Sequence, residues 1–279
     1  MLMEKGVLIL SLGSDLYGRY AFNLAMSIKH TSPGVHITVV HSNNLFRLTS
    51  KQLEVFDNMI ECPGEYYMEG NKQCYINAKL YLDLLTPYKK TLFIDADMLV
   101  SPYKSVESIF KKCDNNQFVM VCRGADSNVS EWVKVDEMLD KFALKKWYDC
   151  SSEVMYFEET KVFEKARDIH QLYLNGEFYY KNFAGGVPDE ACIVPAMLIT
   201  TKKPKFVPFK PTYWEGIENK FMKSEQIFNN FELLSIGGNT SSKHVQSIYN
   251  LLIKWYSSKT GYAAFSYENK MRIQERKLI

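Results

Sequence analysis

Thr91-Leu92-Phe93-Ile94-Asp95-Ala96-Asp97-Met98-Leu99-Val100 is the stretch whose reading decides the fold. Its apolar run, Leu92 through Ile94, is of strand type and stops at two carboxylates separated by one alanine. Residues i and i+2 of a strand point to the same face, so Asp95 and Asp97 read as aimed together beyond the end of a central strand. Two carboxylates that close repel, and burying them is costly. A divalent cation removes that objection, because hard oxygen ligands suit Mn2+ or Mg2+. The stretch therefore predicts a metal site at a strand end. The plain alternative is a pair of solvated aspartates in a turn.

The segments on either side supply the fold class. Residues 71–85 read as a helix with Ile76, Leu80 and Leu84 on one face, closed by Pro87 and feeding the aspartate strand. Upstream, residues 7–12 form a buried strand and residues 17–30 a helix with Tyr20, Leu24, Ser27 and Ile28 at helical spacing. Ser32-Pro33-Gly34 stops that helix, and residues 35–41 form a second, β-branched strand. Strand, helix, strand at this spacing is a βαβ unit, hence a parallel pair and an α/β domain. Residues 48–58 read as a short helix opened by Thr49 or Ser50, followed by a turn-rich patch over 62–70.

Downstream the alternation continues: helix 105–112, strand 117–122, strand 152–157, and helix 160–175 with Val162, Ala166, Ile169 and Tyr173 inward. The polar segment 124–150 is ambiguous, with Trp132 and Trp147 as candidate covers or lids. Residues 183–190 form a loop that enters a helix near Glu190. Residues 204–211 read as extended, 231–236 as a strand broken at Gly237-Gly238, 245–256 as a helix, and the basic tail from Lys270 as solvated or helical. No repeat or low-complexity run interrupts the chain.

Length and composition bound the rest. At 279 residues, with 46% hydrophobic and 24% charged residues, the chain is an ordinary globular protein with ample core. A formal net charge of +2 is too small to imply an electrostatic grip on nucleic acid. The six cysteines (Cys62, Cys74, Cys113, Cys122, Cys150 and Cys192) form no C-x-x-C pair, so they read as reduced thiols rather than a zinc site or a disulfide scaffold. The apolar N-terminus is too short to span a bilayer and lacks a signal-peptide cleavage site, and no later segment has the length of a membrane helix. The expectation is a cytoplasmic protein.

With these elements in order, the chain resembles the GT-A nucleotide-sugar glycosyltransferases, most closely the family 8, glycogenin-like type. The residues that carry the resemblance are Ser11-Leu12-Gly13-Ser14-Asp15-Leu16-Tyr17 after the first strand, Asn77-Ala78-Lys79 before the metal strand, the stretch 92–100 itself, and Asp189-Glu190 after a glycine loop. The resemblance implies a Rossmann-like, mostly parallel sheet flanked by helices in one domain. Residues 1–125 would be its nucleotide-sugar half, and residues 126–279 its acceptor half with C-terminal helices. It implies a UDP-sugar donor whose diphosphate is bridged by Mn2+ or Mg2+ to Asp95-Ala96-Asp97, Asp97 being the firmer ligand and Asp95 touching metal or ribose. In the same pattern backbone groups of Ser11, Leu12 and Gly13 meet the base and Tyr17 stacks on it. Lys79 lies near the diphosphate, and Asp189 and Glu190 hold the sugar or the acceptor. Tyr17 as a helix cap, Lys79 as a solvated lysine and Asp189 as a helix N-cap are the structural alternatives.

The chain departs from the family in two places. Glu190 stands where the pattern has Gln. The C-terminal histidine ligand is missing: aligning Gly237 and Gly238 puts Ser235 in its place, and His244 lies further on beside Lys243. Either His244 reaches back as third ligand with Lys243 on the phosphates, or two carboxylates and water complete the site; an exposed histidine at a helix start is the third reading. The glycine turn can cradle phosphate through its backbone N–H groups. His30, His36, His41 and His170 sit in no ligand spacing. No residue pair announces a general base, which accords with the retention of configuration the resemblance implies. The competing classes are a haloacid-dehalogenase-type phosphatase, a non-catalytic nucleotide-sugar-binding protein and a nucleotidylyltransferase. The first lacks its later paired aspartates here, and the last lacks its glycine-rich basic signature. The acceptor stays open among a sugar, a protein side chain, a lipid head group and a modified nucleic-acid base.

Overall fold

The computed structural model describes residues 2–124, 130–158, 160–201, 205–206, 224–236 and 243–266. The architecture is mixed α/β, with a mostly parallel sheet flanked by helices, as the alternation of elements predicts. In chain order the first elements are β1 (Met3–Ser11), α1 (Asp15–Thr31), β2 (Ile37–His41), α2 (Ser50–Leu53) and β3 (Asn58–Glu61). A hairpin, β4 (Met68–Glu69) and β5 (Lys72–Gln73), then leads through a 3-10 helix (Tyr75–Tyr81) into α3 (Leu82–Leu85). β6 (Tyr88–Ile94), β7 (Met98–Val100), α4 (Val106–Cys113), β8 (Phe118–Gly124), α5 (Val135–Lys141), β9 (Asp149–Phe157) and α6 (Lys161–Leu174) follow. The chain continues with α7 (Asp189–Thr200), β10 (Lys205–Phe206), α8 (Ser224–Asn230), β11 (Leu233–Ser235) and α9 (Lys243–Thr260).

The chain divides into two compact units. One comprises Met1–Gly6, Ile60–Phe93 and Cys113–Pro208, the other Val7–Met59, Ile94–Lys112 and Phe209–Ile279. In the first, strands lie in the order β10-β8-β9-β6, with β10 parallel and β9 antiparallel to β8. Helix α6 buries Val162, Ala166, Ile169 and Tyr173, the predicted face, and packs on α7, which also touches β9 and the 3-10 helix. Trp147 is not a cover: at 2% exposure it is core.

In the second unit β1 and β2 pair in parallel from Val7↔Ile37 to Ser11↔His41, the predicted βαβ unit. Helix α1 carries Asp15 in its first turn and Lys29 in its last, charges that suit the helix dipole. It packs on β7 and α9. Its Asn23, fully buried, is satisfied on both sides. The amide donates to Tyr249 Oη at 2.8 Å and to the Phe265 carbonyl at 2.7 Å, and its oxygen accepts from Phe265 N–H at 3.1 Å.

Three expectations need correction. The helix read over 48–58 is a single turn, α2, opened by a Thr49–Gln52 capping box. It ends early because Asp57 is drawn onto the start of β2: its N–H donates to Ile37 C=O at 2.9 Å, and Ile37 N–H donates to its carboxylate at 2.7 Å. The helix read over 71–85 begins after the hairpin and runs first as a 3-10 helix, at three residues per turn. Its phase therefore slips: Leu84, expected inward, is 58% exposed, while Leu82 and Leu85 are buried. Strand alternation does not orient Asp95 and Asp97, because β6 ends at Ile94, where the apolar run stops, and neither aspartate lies in a strand. The chain turns at Asp95–Asp97, closed by Met98 N–H donating to Asp95 C=O at 3.2 Å, and β7 pairs antiparallel with β11 through Leu234↔Leu99.

Candidate active site

In the second unit the predicted nucleotide-side residues surround the end of β1. Gly13 has φ +84, a left-handed conformation that glycine adopts without strain. Its N–H donates to Ser42 Oγ at 2.8 Å, and the Ser11 carbonyl accepts from Ser42 N–H at 3.3 Å. Those two backbone groups therefore hold the turn itself. Ser11 and Leu12 are buried. The Asn44 side chain fastens the turn further, donating to Ser11 Oγ at 3.1 Å and to Ser14 C=O at 2.8 Å. The sequence marks Ser42 and Asn44 only as part of a polar run, Ser42-Asn43-Asn44, at the end of β2. Tyr17 is half-buried, its ring edge-on to Tyr20 at 6.5 Å.

Asp95 and Asp97 are half-buried around a buried Ala96. The backbone of Asp97 is fixed, since its carbonyl accepts from Ile236 N–H at 3.1 Å. Two carboxylates in a partly open turn fit a hard cation, which commonly takes one or two protein carboxylates and fills its remaining positions with phosphate oxygens and water. The expected third ligand does not join them. His244 and Lys243 are exposed at the start of α9, and among the described residues no three His, Cys, Asp or Glu side chains group to hold a metal. Ser235 is buried in β11. Gly237 and Gly238 lie outside the described residues.

In the first unit Lys79, Asp189 and Glu190 come together on a residue the sequence did not flag, Ser152 of β9. Its hydroxyl donates to Asp189 Oδ2 at 2.5 Å and accepts from Lys79 Nζ at 3.2 Å, and its N–H donates to Glu190 Oε1 at 3.1 Å. Lys79 and Asp189 form a direct ion pair at 3.4 Å, with side chains 12% and 4% exposed. The other Glu190 oxygen, Oε2, accepts from the Trp132 indole N–H at 2.6 Å. Both oxygens of Glu190 therefore accept hydrogen bonds, which fixes the orientation of the carboxylate. Trp132 is thus a partner of the site, its ring 4.9 Å from that of Phe183. Asp189 does not cap its helix: Pro188 takes the N-cap position, and the carboxylate turns to Ser152 and Lys79.

The loop before α7 is seated on the β4–β5 hairpin. A Cβ on Gly186 would overlap Cys74 Sγ and lie 2.7 Å from Glu69 Oε2, so only glycine permits this approach. Glu69 also accepts from Asn77 Nδ2 at 3.1 Å, and Cys74, its thiol pushed up to about 11 by burial and then by Glu69, donates to Asn77 Oδ1. A thiol held in that state is a poor nucleophile. Nearby, His170 Nε2 lies 3.6 Å from Glu69 Oε2, beyond normal hydrogen-bond length. Burial outweighs the attraction of Glu69 and holds the His170 pKa below its ordinary value. The unfolded chain then binds a proton near pH ~6.5 that the folded chain refuses, so stability falls as pH drops. Urea melts are expected to show that loss between about pH 7 and pH 5, and His170→Gln to flatten it.

No family model matches the sequence, and no curated relative matches it. Solved structures do share its fold. The bifunctional glycosyltransferase WbbM, in its apo structure, is 12% identical with a TM-score of 0.61; the match covers 99% of this chain and 52% of that one, so this chain spans about half of that protein. The galactosyltransferase LgtC, solved with donor and acceptor sugar analogues, is 11% identical with a TM-score of 0.57, over 94% of this chain and 98% of that one. Mouse xyloside xylosyltransferase 1, apo form, is 9% identical with a TM-score of 0.52, over 84% and 98%. The fold is that of GT-A-type glycosyltransferases.

Proposed function

We propose that the protein is a metal-dependent glycosyltransferase of the family 8 type, moving a sugar from a UDP-sugar to an acceptor with retention of configuration. The observation that carries this reading is the buried Lys79–Ser152–Asp189–Glu190 network. It gathers at one place residues that the resemblance named separately, and the shared fold of LgtC, solved with sugar analogues, supports it. In this reading Asp95 and Asp97 would hold Mn2+ or Mg2+. A cation held there would supply Lewis-acid stabilisation of the departing diphosphate. Tyr17 stacks on the base beside the Ser42-pinned turn, and Lys243 with the glycine turn before it serves the phosphates.

Asp189, held by Lys79 and Ser152, accepts from donor-sugar hydroxyls. Glu190, oriented by Ser152 N–H and the Trp132 indole, places negative charge where the sugar develops positive charge. Such pre-set dipoles and charges need no rearrangement at the moment of transfer.

A thermal-shift panel of UDP- and GDP-sugars, each with Mn2+ and with EDTA, tests the reading. Ligand that binds only the folded state raises the melting temperature. A shift with a UDP-sugar that requires Mn2+ is the expected result; no shift with any nucleotide sugar would overturn the assignment.

A further inference from the structure

The antiparallel pair β8–β9 sets Cys122 directly opposite Cys150. Opposed residues of such a ladder have Cα atoms roughly 4.5–5.5 Å apart, inside the roughly 4.4–6.8 Å range that a disulfide bridges. Their side chains leave the sheet on one face, and the nearness of Cys122 raises the Cys150 thiol pKa. The ladder shifts register on both sides, between Met120 and Val121 and between Cys122 and Gly124. Such irregularities add local twist and slack to a strand, which lets two facing sulfurs approach without moving the whole sheet. Access also favours the pair: Cys122 is partly exposed, whereas the other five cysteines are buried.

We propose that Cys122 and Cys150 form a thiol–disulfide exchange site that takes low-molecular-weight disulfides and closes to an intramolecular cross-strand disulfide. Cys122, the accessible thiol, loses its proton to solvent and attacks one sulfur of the incoming disulfide, expelling the first thiolate and leaving a mixed disulfide on Cys122. In the resting state Cys150 is kept protonated by the neighbouring Cys122 thiol and then by burial; once Cys122 carries the mixed disulfide it is no longer an ionisable neighbour, and Cys150 gives its proton to the departing group. Its sulfur attacks Cys122 Sγ and expels the second thiol. Two protein thiols and one small disulfide become one protein disulfide and two small thiols.

The site is connected to the network described above. Cys150 and Ser152 lie two residues apart on β9, and the charge of Glu190 is among the causes that raise the Cys150 thiol pKa. The exchange chemistry itself is independent of the proposed sugar transfer.

The test is incubation of the reduced full chain with oxidised glutathione at mildly alkaline pH, followed by intact-mass and non-reducing peptide analysis. The wild type is expected to lose two hydrogens and to yield one peptide pair joined through Cys122 and Cys150, reversed by dithiothreitol. Cys150→Ser is expected to stop at a stable glutathione adduct on Cys122, and Cys122→Ser to remain unmodified. A wild-type chain that stays reduced, retains glutathione on Cys122, or links either cysteine to a different partner would overturn the proposal. These wild-type readings stand even if a variant folds poorly.

Discussion

Lys79→Met is expected to cost on the order of 3 kcal/mol of folding stability at neutral pH. The substitution keeps the volume and apolar stem of the side chain and removes its charge. Asp189, only 4% exposed, is then left with the Ser152 hydroxyl on Oδ2 and no counter-charge from Lys79. Removing one partner of a buried pair leaves an uncompensated charge, which is far costlier than loss of a surface ion pair, worth about 0–1 kcal/mol. Urea unfolding should show a lower midpoint with an unchanged slope. Adding Asp189→Asn to Lys79→Met should recover a large part of the loss, because the amide needs no counter-charge. The two single substitutions and the double close a thermodynamic cycle that isolates the pair. A loss below about 1 kcal/mol for Lys79→Met would mean that the pair behaves as if solvated.

Asp97→Ala is expected to abolish the metal-dependent part of donor binding while leaving the fold intact. Asp97 is half-buried, and its structural tie is made by its backbone carbonyl to Ile236 N–H, which alanine preserves. Substitutions of that kind change stability by roughly 0.5 kcal/mol or less. The ligand-linked effect is much larger. A donor at a hundredfold its Kd stabilises a folded protein by about 2.7 kcal/mol, on the order of 5–10 °C in Tm for a chain of this size. That shift should be present in the wild type with Mn2+, absent with EDTA, and absent in Asp97→Ala under both conditions. A variant that kept the Mn2+-dependent shift would remove Asp97 from the metal site.

Both predictions concern residues that were legible in the sequence, yet for different reasons. Asp95 and Asp97 were marked by a local contrast, an apolar run that stops at two acids. What the run did not show is the partner of the segment beyond the turn: β7 pairs with β11, far along the chain. The phase error over residues 71–85 has a similar origin. Burial periodicity was read at the α-helical pitch, and the hairpin at 68–73 pushes the segment into a 3-10 path with a different repeat. Ser152 carried no signal, because a serine in a short strand looks like any other polar residue on a half-buried face. Trp132 was visible only as a large ring in an ambiguous segment.

By itself, the amino-acid sequence determined the alternation of strands and helices, the parallel β1–β2 pair and the carboxylates available for a cation. These follow from local spacing, since each residue's burial repeats with the pitch of its own element. Only the tertiary structure decided which charges meet. Lys79 reaches Asp189 because α7 packs on both β9 and the 3-10 helix, and Gly186 lets the loop before α7 settle onto Glu69 and Cys74. Such meetings depend on how packed elements fill one another's surfaces, and no spacing along the chain records that.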